Sequence, residues 1–271
     1  MARLAYAQWP WGAETKEQFI QSCKELSSLG YVYFESVRGF IDTFSGDIQG
    51  FLGLTEEYNL RPISFYFHLS NDPSEDIRQL KSKIHFVKAC GIKTICIQAV
   101  WTKEKTTEES LRTTLDTIRT YGEICKEYGI LPCVHPHANT PIMYENEIDF
   151  IMQNTDPALV GFAPDTAHLT VGLCDPVQIC ERYKDRIAFT HIKDVKGALS
   201  SSGMMGDVEI YSNFLELGQG NVDLAGVFRV LKSVDYKGYL CVELDTPPVS
   251  NIISAKKNME YMKKAWGPFE D

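Results

Sequence analysis

The sequence lacks an apolar run long enough to cross a membrane, and it has no excess of basic residues. Its longest apolar stretches, such as Ile95 to Trp101, are far shorter than the roughly 20 residues that a membrane helix needs. Residues 1–4 (MARL) lack the apolar core of a signal peptide. With 27 Lys and Arg against 36 Asp and Glu, the net charge is −9, which disfavours contact with nucleic-acid phosphates. We therefore expect no membrane and no nucleic acid as partner, and we place the protein in the cytoplasm.

Cysteine pairs of the Cys-x-x-Cys type are also missing. The eight cysteines of the 271-residue chain are scattered, and most of them lie inside apolar runs. This pattern predicts buried free thiols and disfavours disulfides, a thiolate zinc site and a cysteine nucleophile. A glycine-rich phosphate loop is missing after the first apolar run, which continues instead into residues 8–11 (QWPW).

What the sequence does contain is a regular alternation of short apolar runs with helical patterns. The eight runs are residues 4–8, 31–35, 63–68, 94–98, 131–135, 160–164, 187–191 and 239–243. Continuous apolar runs are typical of parallel strands that are buried on both faces. Eight strand and helix repeats in about 250 residues are typical of a (β/α)8 barrel. We therefore predict an α/β protein, a (β/α)8 TIM barrel, as a single domain over residues 1–271, with a doubly wound sheet as the alternative.

The connections between the runs carry further signals. Helical spacing of apolar residues is clearest at 14–29, 77–90 and 111–128. Four glycines between a predicted helix and the next strand are expected to have left-handed backbone: Gly30, Gly91, Gly129 and Gly238. Residues 196–217, rich in Gly, Ser and Met, are predicted to form a loop over the mouth of the barrel.

Polar side chains collect where the predicted strands end. Five of the six histidines lie at or just after such ends: His68, His135, His137, His168 and His191. Carboxylates take similar positions: Glu35, Asp165, Asp194 and Glu243. A carboxylate that closes a buried strand needs a cation or metal as partner. A mixed set of imidazole and carboxylate ligands suits Mn²⁺, Co²⁺, Fe²⁺ or Zn²⁺ better than Ca²⁺.

Four segments carry a resemblance to a known family. They are residues 133–140 (CVHPHANT), 164–170 (PDTAHLT), 190–195 (THIKDV), and 217–223 (LGQGNVD) followed by 238–245 (GYLCVELD). These segments resemble the xylose-isomerase-like barrels, a family of sugar isomerases, epimerases and inosose dehydratases. The likeness is strong in the second half of the chain, whereas the first half resembles the family only in its strand rhythm.

The resemblance implies a divalent metal, most often Mn²⁺, with Co²⁺, Mg²⁺, Fe²⁺ and Zn²⁺ as alternatives. Its implied ligands are Asp165, His191, Glu243 and a residue at the end of the fifth strand. The family commonly has a glutamate there, whereas this chain has His135, with Glu145 as the alternative ligand. Ketose 3-epimerases of the family use two glutamates as bases, so the missing glutamate counts against that mechanism. Inosose dehydratases resemble this chain in having a histidine-rich motif after the fifth strand.

The resemblance therefore implies an enzyme, a metal-dependent lyase that acts on a sugar or keto-cyclitol. Such an enzyme abstracts the proton beside a carbonyl and eliminates water, as an inosose (2-keto-myo-inositol) dehydratase does in inositol catabolism. Elimination needs a base for the proton and an acid for the departing hydroxide. We assign Glu243 and His137 as candidate bases, and Lys193 or His168 as the group that holds or protonates the hydroxyls.

The remaining polar and aromatic residues near strand ends are assigned to substrate binding or support. Trp9, Trp101 and His68 are expected to line the sugar pocket, and Glu35 to contact a cation or a substrate hydroxyl. Asp194 is expected to orient a neighbouring metal ligand as a hydrogen-bond acceptor.

Other functions stay open at this point. A ketose isomerase or epimerase and a lyase acting on 3-keto-glycosides both need the same proton abstraction. An endonuclease IV-like phosphodiesterase would need further histidines that residues 213–218 (NFLELG) do not supply. A non-catalytic sugar-binding protein and association into a homo-oligomer are also left open.

Overall fold

The computed structural model describes residues 1–12, 14–102, 104–196 and 213–270. Its strands are β1 (Arg3–Ala7), β2 (Tyr33–Val37), β3 (Arg61–His68), β4 (Thr94–Gln98), β5 (Leu131–Val134), β6 (Gly161–Phe162), β7 (Thr190–Ile192), β8 (Asp194–Val195), β9 (Phe214–Leu215) and β10 (Tyr239–Val242). Its helices are α1 (Lys16–Leu29), α2 (Arg38–Thr43), α3 (Ile48–Glu57), α4 (Pro73–Ala89), α5 (Glu108–Tyr128), α6 (Glu145–Gln153), α7 (Thr166–Val171), α8 (Pro176–Tyr183), α9 (Leu224–Ser233) and α10 (Asn251–Ala265). Most of the loop predicted at 196–217 lies outside the described residues.

Eight of the strands form one parallel sheet that closes into a barrel. The strands follow one another in the order β6, β5, β4, β3, β2, β1, β10 and β7. Parallel bridges between Phe162 and Ile187 and between Asp165 and His191 connect the two ends of this sheet. Each apolar run of the sequence overlaps one of these strands, so the predicted (β/α)8 barrel is confirmed. None of the helices in the described part of the chain is both long and apolar enough to cross a bilayer.

A short antiparallel pair, β8 with β9, lies outside the barrel sheet and was not predicted. Asp194 and Val195 pair there with Leu215 and Phe214. Because β8 begins two residues after β7 ends, this pair fixes the backbone on either side of Lys193.

Small side chains fill much of the barrel interior. Its buried cluster combines alanines and cysteines with a few larger rings: Ala5, Ala7, Tyr33, Ile63, Tyr66, Cys96, Cys133, Ala163, Phe189 and Cys241. The polar side chains of Glu35 and Ser64 are fully buried and share this interior, where Glu35 lies 3.9 Å from the Cys241 sulfur. All eight cysteines are free, and seven of them are buried, as the sequence predicts.

The glycines between helices and strands fulfil the prediction at three of four positions. Gly30, Gly91 and Gly129 have positive φ, whereas Gly238 does not. Asp235 takes the left-handed conformation after α9 instead, with φ 51°. A Cβ at position 238 would lie 2.3 Å from the hydroxyl of Tyr236. The prediction of left-handed backbone at Gly238 was wrong. A glycine is needed there because the Tyr236 side chain lies too close for a Cβ.

Candidate active site

The C-terminal ends of four barrel strands bring the predicted metal ligands to one end of the barrel. His135 and Asp165 follow β5 and β6, His191 is the central residue of β7, and Glu243 follows β10. All four side chains are buried, and the most exposed of them, Glu243, is only 4% accessible. This end of a (β/α)8 barrel is where active sites of the fold lie.

The ligand atoms form two overlapping groups. In one, His135, Asp165 and His191 offer atoms that lie within 4.8 Å of one another, and in the other Asp165, His168 and Glu243 do the same. The Glu243 Oε2 atom lies 3.8 Å from Nε2 of His191. The four predicted ligands therefore do not make a single compact group. Glu243 is grouped with His168 instead, and its other carboxylate oxygen is held by Lys193 at 2.7 Å.

Three buried polar atoms among the predicted ligands have no hydrogen-bond partner. They are Nε2 of His135, Oδ2 of Asp165 and Oε2 of Glu243. An unsatisfied buried polar atom costs about 1–3 kcal/mol, so three of them at the same end of the barrel favour a bound group. Imidazole nitrogen and carboxylate oxygen are ligands of divalent transition metals. The residues present therefore fit a divalent metal.

His191 lies between a buried carboxylate and a second imidazole. Its Nε2 makes a short contact with Oε2 of Glu35, and its Nδ1 lies 2.9 Å from Nδ1 of His135. The hydroxyl of Ser64 donates to the other oxygen of Glu35 at 2.7 Å. Burial by itself lowers the pKa of His191, but the nearby carboxylates, Glu35 first, raise it to about 9. Glu35 thus contacts His191 inside the barrel, whereas the sequence predicted contact with a cation or a substrate hydroxyl.

Lys193 is fully buried and connects two carboxylates. Its Nζ atom lies 2.7 Å from Oε1 of Glu243 and 2.5 Å from Oδ2 of Asp245. The same atom is 3.3 Å from Nε2 of His168 and 4.0 Å from the centre of the Phe214 ring. Such contacts replace the water shell that an exposed ammonium group would have.

Burial and neighbouring charges shift the pKa values of Lys193, Glu243 and Asp165 in different ways. Burial lowers the pKa of Lys193, but Asp245 and Glu243 raise it above its usual value. Burial raises the pKa of Glu243, but Lys193 and His191 bring it down to about 2. Burial raises the pKa of Asp165 to about 7 although Lys193 opposes this shift. Near neutral pH, a protonated amine therefore lies beside an ionised carboxylate, which is a typical acid and base arrangement.

His137 and His168 stack against each other, with ring centroids 3.7 Å apart. Nδ1 of His137 lies 2.7 Å from the carbonyl oxygen of Ala138. Because a carbonyl only accepts, Nδ1 carries the hydrogen and Nε2 keeps its lone pair. Burial, together with the charge of Lys193, lowers the pKa of His137 to about 3. His137 is therefore a neutral imidazole with an unprotonated Nε2.

A cavity of about 270 Å³ opens at this end of the barrel. It is lined by Trp9, Val37, Tyr66, His68, Gln98, Trp101, His137, Glu243 and Asp245. All three residues predicted to line the pocket, Trp9, Trp101 and His68, are among them. A larger cavity of about 820 Å³ lies around Arg3, Arg61 and other residues at the start of the strands. That end of the fold is associated with stability and not with catalysis.

Two predicted residues have other partners. Asp194 accepts hydrogen bonds from the backbone amides of Gly218, Gly220 and Val222, so its observed role is to hold the turn after β9. Glu145 begins α6 and pairs with Arg182 at 2.7 Å on the surface. The structure therefore excludes Glu145 as the alternative ligand to His135, because its carboxylate lies outside the buried group.

Three residues of the site were missed in the sequence. Asp245 contacts Lys193, and the Tyr66 hydroxyl donates to Oε1 of Gln98 at 2.8 Å at the wall of the cavity. A signal was available for Asp245 and Tyr66, since each lies two residues from a predicted site residue, Glu243 or His68. Residues two apart in a strand point to the same side, and this rule extends roughly to the strand ends.

Comparison with known proteins identifies the family. Residues 23–265 match the model of the xylose isomerase-like TIM barrel, and the chain belongs to this family. The resemblance found in the sequence is thereby confirmed.

Relatives and solved structures agree with this assignment. The chain is 28% identical to inosose dehydratase of Geobacillus kaustophilus (strain HTA426) over 251 residues, which cover 84% of this chain and 80% of the relative. It is 26% identical to inosose dehydratase of Halalkalibacterium halodurans over 218 residues, or 72% of each protein.

A crystal structure of the IOLI protein with a zinc atom matches with a TM-score of 0.80 at 15% identity, over 99% of both chains. A D-allulose 3-epimerase from Methylomonas sp. matches with a TM-score of 0.76 at 19% identity, over 97% of both chains. These structural matches support the barrel fold.

Proposed function

We propose that the protein is a divalent-metal-dependent lyase of the inosose dehydratase type. It removes the proton beside the carbonyl of a keto-cyclitol and eliminates water. The three unpartnered polar atoms of His135, Asp165 and Glu243 carry this proposal, because a metal would satisfy all of them. The similarity to inosose dehydratases over most of their length supports the substrate class.

His135, Asp165, His191 and Glu243 would hold the metal, and Mn²⁺ is our first choice, with Zn²⁺ and Co²⁺ as the alternatives we would test. When bound, the metal supplies positive charge that stabilises negative charge developing on a substrate oxygen. His168 offers a ligand atom within 4.8 Å of those of Asp165 and Glu243 and is a further candidate ligand.

The side chains around the cavity supply the base. His137 is neutral, lines the cavity and has a free lone pair on Nε2, so it can take the proton from the carbon beside the carbonyl. Glu243 is the second candidate, since it is ionised and lines the cavity. The pKa values of about 3 for His137 and about 2 for Glu243 do not separate the two candidates, and the free Nε2 lone pair of His137 at the cavity favours His137 in this role.

Lys193 supplies the acid. It keeps its proton because two carboxylates surround it, and it contacts Glu243 at the cavity wall. As the C–O bond of the neighbouring carbon breaks, the proton of Lys193 passes to the departing hydroxide, which leaves as water. The electrons of the broken C–H bond form the new C=C bond, so the products are an enone and water.

Part of the cavity wall is aromatic and suits a ring with an apolar face. The Trp9 and Tyr66 rings pack edge to face, with centroids 5.2 Å apart. Gln98 accepts from Tyr66 through Oε1, which leaves its amide hydrogens for a substrate hydroxyl. A cyclitol with one keto group would fit these contacts. The eight free thiols agree with a reducing compartment, and we propose the cytoplasm.

Proton NMR in D₂O tests the proposal. The Mn²⁺-loaded protein is incubated with 2-keto-myo-inositol, common ketohexoses and a 3-keto-glucoside, with diamagnetic Zn²⁺ protein in parallel. We expect loss of the signal beside the carbonyl of the inosose, followed by an enone or diketone. Exchange that yields a second sugar would favour an epimerase, and product from the glucoside would favour a glycoside lyase. Metal binding with no exchange in any substrate would contradict the proposed activity and favour a binding protein.

A further inference from the structure

We infer that Glu35 is a positioning residue for His191. Its carboxylate accepts a hydrogen bond from Nε2 of His191, so that His191 offers Nδ1 to a metal. The inference rests on the proposed function, because it concerns the same site. It assigns to Glu35 a role that does not involve contact with substrate.

The carboxylate of Glu35 is buried in the barrel interior, where it needs hydrogen-bond partners from the protein. It is fully buried inside the barrel, near Cys241 and other small side chains. A buried carboxylate without partners would destabilise the fold strongly. Ser64 satisfies one oxygen with a hydrogen bond of 2.7 Å, and His191 contacts the other. One oxygen is thus fixed from the neighbouring strand β3, and the other from β7, which β1 and β10 separate from β2 in the sheet.

The direction of the hydrogen bond decides which nitrogen is free. A carboxylate accepts hydrogen bonds, so Nε2 of His191 is the donor and carries a hydrogen. A metal binds histidine through a nitrogen that carries no hydrogen, and because Nε2 keeps its hydrogen toward Glu35, that nitrogen is Nδ1. Nδ1 lies 2.9 Å from Nδ1 of His135, on the side of the ligand group that also contains Asp165. Metal-binding histidines commonly donate their second N–H to such a carboxylate.

The affinity for Zn²⁺ tests this role. We would measure it on the full chain by competition with a chromogenic chelator, for the parent and for Glu35→Gln. The amide keeps an acceptor for Nε2 but removes the charge, and we expect Zn²⁺ binding to weaken by about 10–100-fold. Ser64→Ala, which leaves Glu35 with one partner fewer, should weaken binding by a smaller factor.

Glu147→Gln is the matched control. Glu147 is also a buried carboxylate, but it accepts from the backbone amides of Met143 and Tyr144 at the start of α6. This variant should lower the melting temperature of the metal-free protein and leave the Zn²⁺ affinity unchanged. A purely structural effect of Glu35→Gln would instead follow the melting temperature, as in the control.

The ring nitrogens of His191 give a second readout that needs no variant of Glu35. In the ¹⁵N spectrum of the Zn²⁺-loaded parent, assigned with His191→Gln, we expect a hydrogen on Nε2 and zinc on Nδ1. The reverse assignment would overturn the inference even if Glu35→Gln does not fold. Unchanged Zn²⁺ affinity in Glu35→Gln would overturn it while the proposed function stands. If the parent binds no Zn²⁺ and no Mn²⁺, the metal site of the proposed function fails, and the role of Glu35 fails with it.

Discussion

Lys193 combines complete burial with a retained positive charge, and this combination needs the two carboxylates beside it. Without Glu243 and Asp245, burial would favour the neutral amine. A lysine kept protonated in this way can donate a proton but cannot act as a base. In the proposed elimination, Lys193 can therefore act only as the acid, and another residue must act as the base.

Lys193→Met tests whether Lys193 acts as the acid and not as the base. Exchange of the proton beside the carbonyl uses the base and should continue, whereas formation of the dehydrated product should fall by about 10²–10⁴-fold. Both rates can be followed in one NMR experiment in D₂O. Lys83→Met is the control, since Lys83 is also buried and paired, with Asp42 at 2.7 Å, but lies on α4. Equal loss of exchange and elimination would show that Lys193 does not act as the acid.

At the scale of elements, Asp165 has a structural role in addition to its proposed role as a ligand. Its Oδ1 caps α7 by accepting from the backbone amides of Ala167 and His168 at 2.8 and 2.7 Å. Its Oδ2 has no partner. One oxygen thus serves the helix, and the other is available to a metal.

Asp165→Asn should separate these two roles. Asparagine is as good a cap as aspartate, so the metal-free protein should unfold within a few tenths of a kcal/mol of the parent. Asp165→Ala should lose about 1 kcal/mol more, because the cap is removed. Both variants should lose the stabilisation that Mn²⁺ gives to the parent, as measured by thermal unfolding. Retained stabilisation by Mn²⁺ in the asparagine variant would remove Asp165 from the ligand set.

In contrast to Asp165, Asp194 is expected to contribute to stability and not to metal affinity. Its carboxylate holds the turn that follows β9 through the amides of Gly218, Gly220 and Val222. Asp194→Ala leaves these amides without their partner, and we expect a loss of about 2–4 kcal/mol in chemical unfolding. Zn²⁺ affinity, measured on the folded fraction at low temperature, should change by less than threefold. A larger loss of affinity would return Asp194 to its predicted role beside a metal ligand.

The sequence predicts the elements of this fold better than the partners of single side chains. Burial on both faces makes barrel strands continuously apolar, and this pattern is local enough to read directly. The contact of Glu35 with His191 joins residues 156 positions apart, so no local pattern encodes it. The pair of β8 with β9 was missed for a related reason, because each strand has only two residues.

At the scale of the whole molecule, eight buried or half-buried thiols set the response to alkaline pH. Burial raises the pKa of every cysteine, for example that of Cys23, Cys125 and Cys180 to about 12 from a usual value of 9.0. Above pH 9 the unfolded chain releases thiol protons, whereas the folded chain keeps them. The folded state then binds more protons, so its stability falls as the pH rises from 9 towards 12.

We therefore expect the melting temperature to fall steadily above pH 9 in the presence of a reductant. Each thiol contributes up to about 1.4 kcal/mol per pH unit in this range. Cys90→Ala removes the half-buried thiol, whose pKa burial raises to about 12, and should make the fall less steep. A melting temperature that stays constant from pH 8 to 10 would contradict this account.

The metal should stabilise the whole barrel, because its proposed ligands come from the ends of four strands that are far apart in the chain. His135, Asp165, His191 and Glu243 follow or belong to β5, β6, β7 and β10, so a metal would link the sheet across its point of closure. A ligand that binds only the folded state at 100 times its Kd adds about 2.7 kcal/mol, which corresponds to several degrees in melting temperature. We expect this rise on adding Mn²⁺ or Zn²⁺ to protein stripped with EDTA, and its reversal by fresh EDTA. His191→Gln should melt at the same temperature with and without metal. If the parent also shows no rise at saturating metal, the unpartnered atoms of His135, Asp165 and Glu243 must be satisfied by something other than a metal ion.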